Sequence, residues 1–503
     1  MKSDFLHRFI RALDEGELRY CRTSIELDEK QVAKGYLCLF DRLAAMGTHD
    51  AKALATAMAH FPIAKQLAAE KIRLYQLLLQ FTKELRDKRK PANDPQLRLD
   101  EALLLYDKGL HEEAVEVATK GLAQAVFMEN LWLEVVLMDL LRRIYKAMAQ
   151  KQLTATRIQN EYQLLMAGKK LSTLLLYTQI SDRMFDYIRN YRATDSSTVK
   201  RGIDELMNTP ELQDINLATS LPAQIRFYSI QQFYYSQQNK LEETNEMCKR
   251  QLSLWEQNPA RIAEDPSVYR GVLSNLIGKL TLLGKTEEAF SYLNKLETMK
   301  VVTRRDEVLQ FGHMELQFQL FYMNQGKMPE VLLREENVLA GLRRYQKAME
   351  DSVVLVLMYN LGITHLICEN RTEAMRYFDR IHSLGKLPVR LDLQGIARLI
   401  RLLLLYDKEE NRDVSHFLRN SNLFFGKKDR KFELEHMVHQ WLALHNDIVG
   451  KSERKQSFGQ FAETLVPFMQ SNVLGAEEMY IWAKARHRGV PLMQVLNERL
   501  KPE

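Results

Sequence analysis

Four groups of residues have the types and spacing that chemistry would need. Thr281-Leu282-Leu283-Gly284-Lys285-Thr286 ends in Gly-Lys-Thr, the tail of a loop that cradles phosphates with backbone amides and a lysine. Such a loop needs a glycine five residues before Gly284, where this chain has Lys279, and it needs a strand before it. The segment reads instead as a turn between two helices. Glu433 and His436 have the i, i+3 spacing of carboxylate-bridged metal sites in helix bundles, with Glu435 and His439 beside them. Those sites take matching pairs from other helices, and no second Glu-x-x-His is present, so this group reads as a helix face next to Trp441 and Leu442. Tyr228, Phe233, Tyr234 and Tyr235 could stack on bases or on peptide side chains; at helical spacing they read as packing between long helices. Basic clusters stand at 83–90, at Arg142-Arg143, at Arg343-Arg344 and at Lys427-Lys428-Asp429-Arg430-Lys431. Lined up on one face they could follow an acidic partner.

GxGxxG, GxxxxGK[ST], GxSxG and HExxH do not occur. The expectation is a non-catalytic protein with no cofactor and no metal. The four cysteines, Cys21, Cys38, Cys248 and Cys368, form no CxxC pair, which fits reduced thiols in the cytoplasm better than a disulfide framework or a zinc site. The charged N-terminus lacks the apolar run of a signal peptide, and no apolar stretch approaches ~20 residues, so no membrane association is expected. A net charge of +6 on 503 residues gives nucleic-acid binding little support.

Helices must position these residues. Proline and glycine are scarce, at 12 and 21, and good helix formers dominate. At 503 residues the chain is too long for one compact core, so it is several domains or an extended array. The array is visible as an internal repeat. Leu103-Leu104-Leu105-Tyr106-Asp107-Lys108 recurs as Leu403-Leu404-Leu405-Tyr406-Asp407-Lys408. An apolar helix ends at a residue that tolerates the left-handed conformation, such as Gly109, Asn239 or Gly284. Acidic residues then open a second helix, as at Glu112-Glu113, Glu242-Glu243 and Glu287-Glu288, where they face the positive end of its dipole. A small residue follows, such as Ala114, Ala289 or Ala374, and lets the two helices approach. Turns at 239, 284, 326, 369 and 409 are 45, 42, 43 and 40 residues apart. The 130 residues from 109 to 239 leave room for further turns near Ala149-Gln150-Lys151 and Arg192-Ala193-Thr194-Asp195. The expected fold is all-α, an alpha-alpha superhelix of helix hairpins. The expected division is an N-terminal helical block at 1–90, hairpin repeats at 91–450 and a C-terminal helical cap at 451–503.

The unit resembles the tetratricopeptide repeat, with Asn360-Leu361-Gly362 ahead of Glu373-Ala374. Gly362 and Ala102 occupy the small-residue place of the first helix, whereas Ile277 and Gln319 depart from it. Nearly the whole chain is also similar to the large, uncharacterised tetratricopeptide-like proteins of Bacteroidota. The opening block Glu17-Leu18-Arg19-Tyr20 to Leu39-Phe40-Asp41, the segment Lys71-Ile72-Arg73-Leu74-Tyr75, and the block from Ala397-Arg398-Leu399-Ile400-Arg401 to Phe424-Phe425-Gly426-Lys427-Lys428 carry this likeness. The resemblance implies a helical solenoid whose first helices line a concave groove that holds a protein partner. In that register Arg226, Ser229, Ser274, Asn275, His313, Tyr359 and Asn360 fall on or beside the groove. Asn275 and Asn360 match the place that contacts a ligand backbone in peptide-binding members. Gly271, Gly278 and Ile363 stand where a carboxylate clamp would need polar or basic groups, which argues against that kind of adaptor. The alternative is a regulatory protein whose N-terminal block and basic clusters contact nucleic acid or a nucleic-acid-bound complex. Ala45-Met46-Gly47-Thr48-His49-Asp50 is the nearest approach to the turn before a recognition helix.

Overall fold

A computed structural model describes residues 4–27, 33–47, 49–89, 94–148, 154–191, 196–345, 348–384, 389–406, 433–446, 448, 450–471 and 473–500. Every regular element among them is helical. The expected turns near 149–151, 192–195 and 409, and the basic cluster 427–431, lie outside the described residues. No described helix is long and apolar enough to cross a membrane. The chain divides into two compact units, Met1–Lys169 and Lys170–Glu503.

The first unit opens with α1 (Phe5–Ala12), α2 (Glu15–Glu26), α3 (Ala33–Ala45), α4 (Ala51–Met58) and α5 (Leu67–Arg89). They enclose a core that includes Leu6, Ile10, Leu39, Phe40, Leu43, Leu54 and Leu74. Then come α6 (Pro95–Asp107), α7 (His111–Phe127), α8 (Leu131–Met148) and the start of α9 (Thr154–Tyr191), which runs on into the second unit. Small residues let α6, α7 and α8 close on one another: Ala102, Ala114, Ala118 and Ala125 are all fully buried.

The second unit continues with α10 (Ser196–Met207), α11 (Leu221–Gln237), α12 (Leu241–Glu256), α13 (Pro259–Glu264), α14 (Pro266–Leu282) and α15 (Thr286–Glu297). It goes on through α16 (Arg304–Asn324), α17 (Met328–Leu332), α18 (Glu335–Tyr345), α19 (Asp351–Ile367), α20 (Arg371–Ser383) and α21 (Leu391–Tyr406). It ends with α22 (Glu433–Asn446), α23 (Lys451–Gln470), α24 (Ala476–Arg488) and α25 (Leu492–Leu500). The helices expected as a C-terminal cap share one core with their neighbours: Leu355, Ile363, Phe378 and Leu403 pack in the same cluster as Phe461, Trp482 and Leu496.

One local plan recurs at five hairpin turns, and its two bonds appear again at Glu129 between α7 and α8. Gly109, Asn239, Gly284, Gly326 and Glu369 all have positive φ, between 56° and 76°. At each, the next amide reaches back to a carbonyl five residues earlier: Leu110 to Leu105, Lys240 to Tyr235, Lys285 to Leu280, Lys327 to Tyr322 and Asn370 to His365, at 2.8–3.0 Å. The left-handed residue's own amide bonds the carbonyl three back. These two bonds satisfy carbonyls that a helix end leaves without partners and reverse the chain. Five residues past each turn residue comes Ala114, Thr244, Ala289, Val331 or Ala374, each at most 1% exposed. Successive first helices are then tied at a nearly constant step. Lys279 donates to Ser236, Gln317 to Ser274, Asn324 to the Thr281 carbonyl and Asn360 to Gln319, across 43, 43, 43 and 41 residues.

Ala289 is sealed between α14 and α15. Ala289→Arg buries an unpaired charge there and forces the hairpin apart, so it should cost about 3–5 kcal/mol in chemical denaturation. An unchanged melting temperature contradicts this packing.

Candidate functional site

The chemistry-bearing groups come first. Gly284-Lys285-Thr286 is the turn between α14 and α15; Lys285 is paired with Glu242 at 2.9 Å and Thr286 bonds the Gly284 carbonyl. Tyr228, Phe233 and Tyr234 pack against the cluster around Tyr177, Phe227 and Ile230. The arginine pairs each meet carboxylates within the fold but are not fully balanced by them, since Asp139 serves both Arg142 and Arg143. Arg142 and Arg143 both face Asp139, Arg343 faces Glu336, and Arg344 faces Glu307. Lys88 donates to Tyr20. Among the described residues no group of three or more His, Cys, Asp or Glu is placed to hold a metal.

Two members of the α22 group, buried Glu435 and half-buried His439, are shifted by their surroundings. Burial pushes Glu435 up to about 8, and burial with the neighbouring His436 pushes His439 down to about 4. They stand 4.0 Å apart.

The seven groove candidates separate into distinct environments. Ser229 donates to the Ile225 carbonyl and accepts from Gln251, which ties α11 to α12. Ser274 is buried and accepts from Gln317 at 2.9 Å. Asn360 is half-buried and donates to Gln319 at 3.0 Å. Tyr359 is 3% exposed and lies under α24, its hydroxyl 3.4 Å from Glu478. Burial and the neighbouring Glu478 push the Tyr359 hydroxyl well above its usual range. His313 is half-buried, and burial together with Arg270 lowers its pKa, which favours the neutral ring. Arg226 and Asn275 alone are exposed. The structure therefore keeps Asn275 open and turns Asn360 inward; the shared groove role expected for the two does not extend to Asn360 in this geometry.

Around Asn275 the surface of α14 is bare. Gly271 lies four residues before it and Gly278 three after, which puts all three on one face. A Cβ at Gly271 would meet nothing within 4 Å, and one at Gly278 would make ordinary contacts with Gln317 and Leu320 at 3.5 and 3.6 Å. Neither glycine is required by packing, and neither has positive φ. Gly341 and Gly362 differ, because the rings of Phe311 and Phe378 fill the space a Cβ would need. Glycine inside a helix costs about 1 kcal/mol relative to alanine. At Gly271, as at Gly168 inside α9, no packing contact offsets that cost.

Next to Gly271, Arg270 anchors α14 from its buried side. Arg270, 0% exposed, donates to Asp306 at 2.6 Å, to Gln310 at 2.9 Å and to the Lys300 carbonyl at 2.7 Å. Burial raises the Asp306 pKa, but hydrogen bonds from Arg270 and Thr303 outweigh it and hold the carboxylate below its usual range. Asp306 also closes the capping box of α16 with Thr303. The strip and Gln317 were not singled out from sequence. The 43-residue step from Ser274 leads to Gln317, and the same arithmetic could have found it.

Set against known proteins, the chain matches no family model, no curated protein and no solved structure. The reading of this face rests on its own geometry.

Two outcomes follow. Gly271→Ala should raise stability by about 0.5–1 kcal/mol, read from urea midpoints, since the new methyl meets open space and removes unfolded-state freedom; a loss shows the site to be filled. Glu435 keeps its proton in the folded chain at pH values where the unfolded carboxyl, near 4.5, has lost it. Its stabilising contribution is therefore full below about pH 4.5 and is lost as pH rises through about 8. Between pH 5 and 8 the native chain should lose stability relative to Glu435→Gln, and parallel profiles of the two contradict the burial.

Proposed function

We infer that the chain is a non-catalytic scaffold, a tetratricopeptide-like superhelix of helix hairpins that holds a protein partner on its first-helix face. The observation that carries this reading is the strip Gly271–Asn275–Gly278, an exposed amide between two glycines for which packing gives no reason. A side-chain amide both donates and accepts, so it can pair with a peptide backbone of any sequence, and the glycines let that backbone come close. The recurring left-handed turns support a repeat, because they bring equivalent faces of successive first helices into register. The free thiols Cys21, Cys38, Cys248 and Cys368 support a reducing compartment such as the cytoplasm. A nucleic-acid role draws little support from Arg142, Arg143, Arg343 and Arg344, each of which already faces a carboxylate of the fold.

The test is a pair of variants that leave the fold intact. With a partner captured from native cells and affinity measured by calorimetry, Asn275→Ala should weaken binding by about 1–3 kcal/mol, the range for lost hydrogen bonds. Gly271→Leu should weaken it at least as much by filling the strip. Undiminished affinity in both folded variants removes the partner from this face.

A further inference from the structure

Charge is sorted between the two helices of the α11–α12 and α14–α15 hairpins. Leu221–Gln237 and Pro266–Leu282, the first helices α11 and α14, contain no Asp or Glu. Their partners in the hairpins, α12 and α15, carry Glu242, Glu243, Glu246 and Glu256, and Glu287, Glu288 and Glu297. The acids of the next first helix, α16, are used internally. Asp306 holds Arg270, Glu307 meets Arg304 and Arg344, and Glu315 is buried against Arg334 and Asn337. Three cations belong to α11 and α14. Arg270 is buried in its pair with Asp306. Arg226 is exposed and Lys279 half-buried, and neither has a carboxylate partner among the described residues. Lys279 reaches Ser236 on α11 through a 3.3 Å hydrogen bond, which places its ammonium at the α11–α14 seam.

We propose that the α11–α14 face takes an acidic, extended peptide segment, with Arg226 and Lys279 pairing with two of its carboxylates and Asn275 pairing with its main chain. This rests on the reading of that face as a protein-binding surface and names the class of partner. The spacing follows from helix geometry. Ser236, beside the Lys279 ammonium, lies ten residues after Arg226 on one helix, which is about 15 Å at 1.5 Å per residue. An extended chain rises about 3.3 Å per residue, so the two carboxylates fall roughly four or five residues apart. The glutamates of α12 and α15 belong to the second helices. A nucleic acid fits less well. Duplex DNA presents a charge about every 1.7 Å, far denser than this pair of cations. Single strands take stacking platforms, and three of the half-buried aromatics of α11, Tyr228, Phe233 and Tyr234, are engaged in packing against the cluster around Tyr177.

The experiment is selection of a random twelve-residue peptide phage library on the full chain, repeated on Arg226→Gln/Lys279→Gln and on Asn275→Ala. Helical content of each variant is checked by circular dichroism. Enriched peptides are then resynthesised, and their affinity is measured at low and moderate salt beside a dT12 oligonucleotide. The expected result is enrichment of peptides with two acidic residues four or five apart. Their affinity should fall at least tenfold on the double variant, and also when the two acids become Gln. Enriched peptides without acids, insensitive to the double variant but lost on Asn275→Ala, overturn the acidic class and leave the face reading standing. Peptides that bind Asn275→Ala and the double variant as well as the native chain overturn both, as does a library that yields no enrichment. Tighter binding of dT12 than of any peptide, with steep loss in salt, overturns the peptide in favour of nucleic acid.

Discussion

A single left-handed residue at the end of each first helix sets everything downstream of it. At Gly109, Asn239, Gly284, Gly326 and Glu369 the backbone leaves the right-handed helix for one residue, and two amides close back onto carbonyls that would otherwise lack partners. The chain reverses at a fixed angle, so the second helix starts at a fixed distance, and the fifth residue past the turn meets the preceding helix. A side chain that can be buried there is a condition of closure, met by Ala114, Thr244, Ala289, Val331 and Ala374. Because these hairpins close in the same way, neighbouring first helices come within hydrogen-bond reach within one or two residues of the repeat register, with ties at 43, 43, 43 and 41 residues.

The turn was legible in the sequence for a physical reason: positive φ selects Gly and Asn, and the acids that follow favour the positive end of a helix dipole. Glu369 is neither Gly nor Asn, and the apolar run before it with Glu373-Ala374 after it marked the turn. Other features were beyond reach. Nothing in the periodicity announced that α9 would run for 38 residues, because amphipathic pattern gives a face and not a length. The groove register placed Tyr359 and Asn360 on an open surface. A residue 119 positions away, Glu478, covers the first, and a neighbouring helix engages the second. Such cover depends on tertiary neighbours that local spacing does not encode. Gly271 and Gly278 were noticed only as the absence of a carboxylate clamp. Their meaning needed the knowledge that no other side chain fills the space above Gly271.

The second unit holds a tension that local stability does not explain. Arg270 and Asp306 anchor α14 from its buried side, while the surface of that helix keeps a glycine with no packing role. A buried pair of this kind is a costly way to gain stability, and its better-attested use is to fix one arrangement. A helix anchored from its buried side with bare backbone on its surface is the arrangement a binding surface needs, since order supplied in advance lowers the entropy lost on association. The exclusion of acids from α11 and α14 acts in the same direction, because it leaves one sign of charge on the approach to the strip.

The most direct test is photo-crosslinking in native cells from a benzoylphenylalanine at Val268 or Leu282, which are exposed at the two ends of the α14 strip. Probes at Glu246 and Phe290, exposed on second helices α12 and α15, serve for comparison. The account predicts a discrete protein adduct from 268 and 282 that disappears with Gly271→Leu, and none from 246 or 290. Adducts from the second helices alone, or adducts from the strip that survive Gly271→Leu, contradict it.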